Sequence, residues 1–284
     1  LLSDNVQREV LIRKICMVEN AMQYFEYLME LPANKLAQVL IEGLPAKINT
    51  LTDDLKDDFY AILPLYNFYF TRDTAVTIGN NLLICNMANK VRTRETLIVN
   101  AIFDNPQHVD THIIDAASFV SSSSAPTHIE GGDVVIVNEN IMVIGNGSRT
   151  GSEAIDKLIT HMCSRKSGTK HIIVQQLPLT PESFIHLDMV FTMLDTNQAM
   201  LYKPLVLETN SYKTVHIEID NGKVTKIATV PNILTALSKL GVDIEPIICG
   251  GQSDEWDQER EQWHSGANFL AIAPGKVMSY ARNV

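Results

Sequence analysis

The sequence predicts an α/β fold preceded by an all-helical module. Residues 5–63 follow helical spacing and are free of strand signals, whereas beyond Pro64 short β-branched runs alternate with helical segments. Groups of two or three strands plus a helix recur three or four times, without sequence identity between them. Each group can bury only part of its face, so its neighbours must complete the core.

The first helix carries Val6, Val10, Ile12, Ile15 and Cys16 on one face and continues through Met22, Phe25 and Leu28. Pro32 opens a second, with Leu36, Val39, Leu40 and Leu44, and Pro45 stops it. A third is expected over residues 52–62, with Asp53 and Asp54 in its first turn and Phe59 and Ile62 on its apolar side. Residues 1–63 are therefore expected to form a helical domain, and residues 64–284 the α/β domain.

In the second part, strands are expected at 67–71, 75–78 and 82–87, a helix at 92–103 and a strand at 111–116, before a loop with four serines, Ser121 to Ser124. A hairpin follows, Val134–Val137 and Ile141–Ile144 about Asn138-Glu139-Asn140, then helix 152–164 and strand 171–175. Strands at 186–194, 201–207, 214–219 and 223–229 lead to helix 232–240 and strand 242–249. The last strands, 268–273 and 276–281, flank Pro274-Gly275.

Of the 284 residues, 45% are apolar and 20% charged, a balance that supports a sizeable core. A formal net charge of -10 argues against nucleic acid or an anionic membrane as partner, and suits a small cation. Cys16, Cys85, Cys163 and Cys249 lie far apart with no CxxC pair, which points to a reduced, cytoplasmic protein without structural zinc. No apolar run has the length of a membrane span, and no signal peptide is visible.

The candidate chemistry centres on Ile129-Glu130-Gly131-Gly132-Asp133. Two acids on a glycine bend, flanked by apolar strand, carry a desolvation cost that a cation should offset. In Ile185-His186-Leu187-Asp188, strand alternation would put His186 and Asp188 on one face, a competent acid–base unit or, at about even odds, a satisfied surface pair. The run 67–73 ends on Asp73, with Phe68 and Phe70 on one side and Asn67, Tyr69 and Thr71 on the other. Arg92 and Arg149 precede helices and suit carboxylate recognition, although a solvated cap is the commoner role. Together these residues fit a ligand with a cationic head and an anionic tail, of which free arginine is one. A metal site at His186, Asp188 and Glu130 lacks a characteristic ligand spacing.

Several ordered motifs, NFYFTRD (67–73), RTRET (92–96), IEGGD (129–133), HLDMVFTMLD (186–195), CGG (249–251) and REQWHSGANFLAIAP (260–274), make the chain strongly resemble arginine deiminase, of the guanidino-group-modifying superfamily. The resemblance implies a five-bladed α/β propeller with an inserted helical domain at 1–63. By it, Asp73 and Asp188 grip the substrate guanidinium, Glu130 and His186 are the acid–base residues, Asn67, Arg92 and Arg149 hold the α-carboxylate, Asp133 lies near the α-amine and Phe70 lines the aliphatic stem. No metal or cofactor is implied. The implied reaction is attack of a cysteine thiolate on the guanidinium carbon, loss of ammonia, and hydrolysis of an amidino-cysteine to citrulline.

In the family the nucleophilic cysteine lies in a glycine-rich loop near the C-terminus, which the resemblance puts beyond Val284, and the first blade begins before Leu1. None of the four cysteines is a substitute, so these residues alone are expected to be nearly inert. Exposed strand edges are expected to pair with another copy. A non-catalytic arginine-binding relative, an amidinotransferase and a dimethylarginine hydrolase are the alternatives, and the helical insertion favours the deiminase.

Overall fold

Three ββαβ units form the body of the molecule. The computed structural model describes residues 1–48, 50–55, 59–104, 111–120, 127–165, 169–252 and 254–283. In the first unit Ala75–Ile78 and Asn81–Ile84 make an antiparallel hairpin, helix Thr93–Phe103 crosses over, and His112–Asp115 returns parallel to the second strand. The second repeats this with Val134–Asn138, Ile141–Asn146, helix Ser152–Arg165 and His171–Gln176. The third uses Phe191–Met193, Gln198–Leu201, helix Ile233–Lys239 and Glu245–Ile248. Parallel neighbours need such a helical crossover, which is why every unit spends one. The hairpin Thr214–Asp220/Lys223–Val230 interrupts the third unit and extends the second unit's sheet to five strands, through Thr214–Asp220 against His171–Gln176.

Strand Ile141–Asn146 shows why the core holds. Met142 and Ile144 pack with Ile155, Leu158, Ile159 and Met162 of the crossover helix, while Ile141 and Val143 face a second cluster with Ile173, Leu201, Leu205 and Leu237. Period-two alternation thus feeds two apolar layers, and both faces of the strand are covered.

Several sequence expectations change. The long first helix is broken: Asn5–Val18 is followed by Asn20, which takes a left-handed φ of 52°, and a turn at Met22–Tyr24 leads to a separate helix Phe25–Glu30. Helix Ala33–Glu42 stops at Gly43 rather than at Pro45; φ there is +88°, and a Cβ would meet the Ile62 carbonyl oxygen at 2.7 Å. The third helix covers only Leu51–Asp54; Tyr60–Ile62 is a strand paired with Leu44–Pro45, so the first module is not all-helical. The Asp53 side chain and the serines at 121–124 fall outside the described residues. The cluster filling this module, with Ile12, Ile15, Leu28 and Leu36, runs past Leu63 to Leu65 and Ile98 of the first crossover helix.

The strand expected at 67–71 is a turn instead, and the one expected at 186–194 begins only at Phe191. Residues 66–69 form a turn with a Phe70 N–H to Asn67 carbonyl bond of 3.0 Å, followed by helical Thr71–Thr74. Leu187–Met189 is a 3₁₀ turn before the strand Phe191–Met193. The strand expected at 201–207 ends at Leu201, and Pro204 sits in the first turn of helix Lys203–Val206. Helix Glu255–Trp263, capped by Asp254, was not expected at all. The last hairpin, Leu270–Ala273/Lys276–Met278, is present and exposed along both strands. Among the described residues no helix is long and apolar enough to cross a membrane.

Candidate active site

Each ββαβ unit is entered through a short helical turn, and the three turns pack on one another: Thr71–Thr74, Gly131–Asp133 and Leu187–Met189. The glycine pair makes this possible. A Cβ on Gly131 would lie 1.9 Å from the Arg72 carbonyl oxygen, and one on Gly132 would lie 2.7 Å from the His186 ring and 2.9 Å from Asp73 Oδ1. Backbone therefore sits where any side chain would push the turns apart. Asp73, Glu130, His186 and Asp188 are carried to one point for this reason, and not by strand alternation.

They line one cavity of about 420 Å³, together with Asn67, Phe70, Arg92 and Arg149. His186 Nε2 is 2.8 Å from Glu130 Oε2, while its Nδ1 lies 3.8 Å from Asp73 Oδ1. Glu130 has no exposed surface; its Oε1 accepts from the Ala88 N–H at 2.8 Å and lies 3.9 Å from Arg149 Nη1. Arg72, which sequence reasoning passed over, donates from Nη1 to Asp188 Oδ2 at 3.0 Å and from Nη2 to the Phe269 carbonyl. Asp188 Oδ1 has no hydrogen-bond partner among the described residues.

Charge follows from this geometry. Burial opposes a charged His186, but the Glu130 hydrogen bond and the Asp133, Asp73 and Asp188 charges overcome it and raise its pKa to about 9. Burial would raise Glu130, yet the His186 hydrogen bond and charge, with the Ala88 N–H, hold it below the usual carboxylate value. At neutral pH the pair is an imidazolium against a carboxylate. Burial pushes Asp188 up to about 6, against the opposing pull of His186 and Arg72.

Two of the expected site residues have protein partners. Arg92 was expected to hold a carboxylate of the ligand, yet all three of its nitrogens already donate: Nε and Nη2 to Glu95 (3.1 and 2.8 Å), Nη1 to Asp73 Oδ2 (2.5 Å), and Nη2 also to the Asn67 carbonyl (3.2 Å). It fixes Asp73 while lining the cavity. Asp133, expected near the α-amine, does not line the cavity; it is fully buried behind His186, where its Oδ1 accepts from the Leu187 N–H at 2.9 Å. Burial raises it to about 7 against the pull of His186, Thr150 and that N–H. Arg149, 28% exposed at its side chain, remains open to an anion.

A family model described as arginine deiminase matches residues 19–284. The chain belongs to the arginine deiminase family. It is similar to the arginine deiminase of Listeria innocua serovar 6a, 33% identical over 278 residues that cover 94% of this chain and 66% of that protein. It is also similar to that of Staphylococcus haemolyticus, 33% identical over 253 residues, 87% of this chain and 60% of that protein. The chain thus spans just under two-thirds of the length of these relatives. Among solved structures it is similar to a dimethylarginine dimethylaminohydrolase adduct with 4-chloro-2-hydroxymethylpyridine, at a TM-score of 0.44 and 15% identity, covering 76% of this chain and 63% of that one.

In this member of the arginine deiminase family no cysteine among the described residues lines the cavity. Cys85 lies beneath the turns, fully buried, its N–H bonded to the Thr74 carbonyl; burial, then the Asp73 and Glu130 charges, push its thiol well above the usual value. Burial likewise raises Cys16, Cys163 and Cys249, the last to about 11. None is poised as a thiolate at neutral pH. Glu95 was visible in the sequence as the i+3 partner of Arg92. Arg72 gave no such signal, because its partner Asp188 is 116 residues away.

Proposed function

We propose that this chain carries the guanidinium-binding and proton-transfer part of an enzyme that hydrolyses L-arginine to L-citrulline and ammonia. The observation that carries the reading is the convergence of Asp73, Glu130, His186 and Asp188 on one cavity. Asp73 and Asp188 each commit Oδ2 to a protein arginine, which leaves Oδ1 to accept from a planar cation. Such charge-assisted bonds contribute roughly 1.5 to 3 kcal/mol apiece. Phe70 suits the aliphatic stem, and Arg149 with Asn67 suits the α-carboxylate.

In the proposed reaction a cysteine thiolate attacks the guanidinium carbon. Imidazolium His186 delivers its proton to the departing amine, so that ammonia leaves an amidino-cysteine. Neutral His186 then takes a proton from water, whose oxygen attacks the same carbon, and the C–S bond breaks to give citrulline. The thiolate is supplied from outside the four cysteines of these residues. The 284 residues by themselves are therefore expected to be nearly inert, by about a factor of a million.

We further read the three units as part of a five-bladed propeller with residues 1–63 inserted, in a cytoplasmic protein that pairs through strand edges such as Leu270–Ala273/Lys276–Met278. A strictly monomeric solution state would count against the pairing. The deciding test is citrulline release from L-arginine by the full-length protein, which is expected; its absence leaves a non-catalytic arginine binder. One observation favours a second reading: Asp73, Glu130 and His186 each bring an atom within 4.8 Å of the other two, a spacing a metal ion could bridge. Loss of activity on chelation would support that reading; activity indifferent to chelators is expected.

A further inference from the structure

Glu130 and His186 come from different turns, yet their facing atoms are held at 2.8 Å. Glu130 has no exposed surface, and its carboxylate bond to Ala88 fixes only one oxygen. The structure supplies a brace behind the pair. The Glu130 N–H donates to Thr150 Oγ1 at 3.1 Å, and the Thr150 hydroxyl lies beside the Asp133 carboxylate, whose Oδ2 has no hydrogen-bond partner among the described residues. Asp133 Oδ1 in turn accepts from the N–H of Leu187, the residue after His186. Two hydrogen bonds and the approach of Thr150 to Asp133 close a ring whose front side is the Glu130–His186 contact. Thr150 and Asp133 are both 0% exposed and neither lines the cavity.

The brace has little slack. The Thr150 carbonyl accepts from the Gly147 N–H at 3.0 Å and from Asn146 Nδ2 at 3.1 Å, which locks the loop that carries it. A Cβ on Gly145 would lie 2.3 Å from Asp133 Oδ1, so that carboxylate has no second place to go. The link between a backbone N–H and a carboxylate must accept one hydrogen bond and donate another. A hydroxyl does both, and valine, of the same shape, does neither.

We propose that Thr150 is a positioning residue that, through Asp133, sets Glu130 against His186. The inference rests on the proposed reaction for its kinetic consequence, but not for its geometric one. Two measurements therefore test it. In the full-length protein Thr150→Val is expected to lower kcat for L-arginine by about 10- to 100-fold with KM changed by less than about threefold, and Thr150→Ser to restore most of the loss. Independently of turnover, ¹⁵N NMR of the His186 ring should show Thr150→Val titrating at lower pH than wild type, because a loosened Glu130 stabilises the imidazolium less, while Thr150→Ser titrates as wild type. If valine does not fold at this site, Thr150→Ala replaces it in both arms. An unchanged His186 titration overturns the proposal, as does a Thr150→Ser variant as impaired as Thr150→Val. Wild-type protein that titrates as described but releases no citrulline would instead count against the reaction alone.

Discussion

Arg92 and Arg94 stand two residues apart at the start of one helix, both buried, and they look in opposite directions. Arg92 faces the cavity, where Glu95 and Asp73 engage it; burial would lower its pKa, but those two acids raise it instead. Arg94 faces the helical module, where its Nη1 lies 3.2 Å from Glu19 and its Nη2 donates to the Leu63 carbonyl. Its Nε has no hydrogen-bond partner among the described residues, and burial lowers its pKa despite Glu19 and Glu95. Equal burial therefore has unequal meaning. A charge surrounded by fixed acids is part of a working electrostatic frame, whereas one with a single part-exposed partner is a join between two parts of the chain.

Substitutions at the cavity should have the largest effects. Glu130→Gln keeps the shape but removes the charge that holds His186 protonated. In the full-length protein it is expected to slow citrulline release by roughly 10²- to 10⁴-fold. A rate within tenfold of wild type would remove the acid–base pair from the chemistry. Arg92→Met strands two buried carboxylates, Asp73 and Glu95, and should destabilise the fold by roughly 3 to 5 kcal/mol in urea unfolding. A loss under about 1 kcal/mol would show that the acids do not depend on it.

The frame should also respond to pH. The folded-state pKa of His186, about 9, is above its ordinary value, so its contribution is complete below about pH 6.5 and is lost as pH rises through 9. That is at most about 3 kcal/mol. Asp188 and Asp133, raised to about 6 and about 7, have the same sign and lose their contribution at lower pH. The urea midpoint should fall steadily from pH 5 to 9.5, and Glu130→Gln should flatten the alkaline part. A midpoint that rises over this range contradicts the arrangement. The smallest effect is expected at the join: Arg94→Met leaves only Glu19, which reaches water, and a carbonyl, so stability should change by less than about 1 kcal/mol or increase. A loss comparable to that of Arg92→Met would erase the distinction between the two sites.

Much of this was legible in the sequence. The hairpin Val134–Asn138/Ile141–Asn146 and the helix Ser152–Arg165 follow from β-branched alternation and helical spacing, and both lie within two residues of expectation. Asp73 and His186 were also singled out, but for a faulty reason. Phe-Tyr-Phe and His-Leu-Asp mimic strand alternation, whereas their backbones turn because the three entry turns must meet. Intrinsic β-preference was overridden by tertiary packing. The helix Glu255–Trp263 escaped notice because only its two tryptophans are apolar. A sequence shows which groups could meet a ligand, but not that Arg92 also holds Asp73 and that Asp133 also holds the Leu187 N–H.

Cys85 turns the packing of the three turns into something that can be timed. Its sulfur lies under them, fully buried, so a maleimide reaches it only when the turns part, whereas Cys163 is partly exposed. The alkylation rate of Cys85 relative to Cys163 would clock how often the floor of the site opens. A ligand that clasps the turns together should slow that clock in proportion to its affinity.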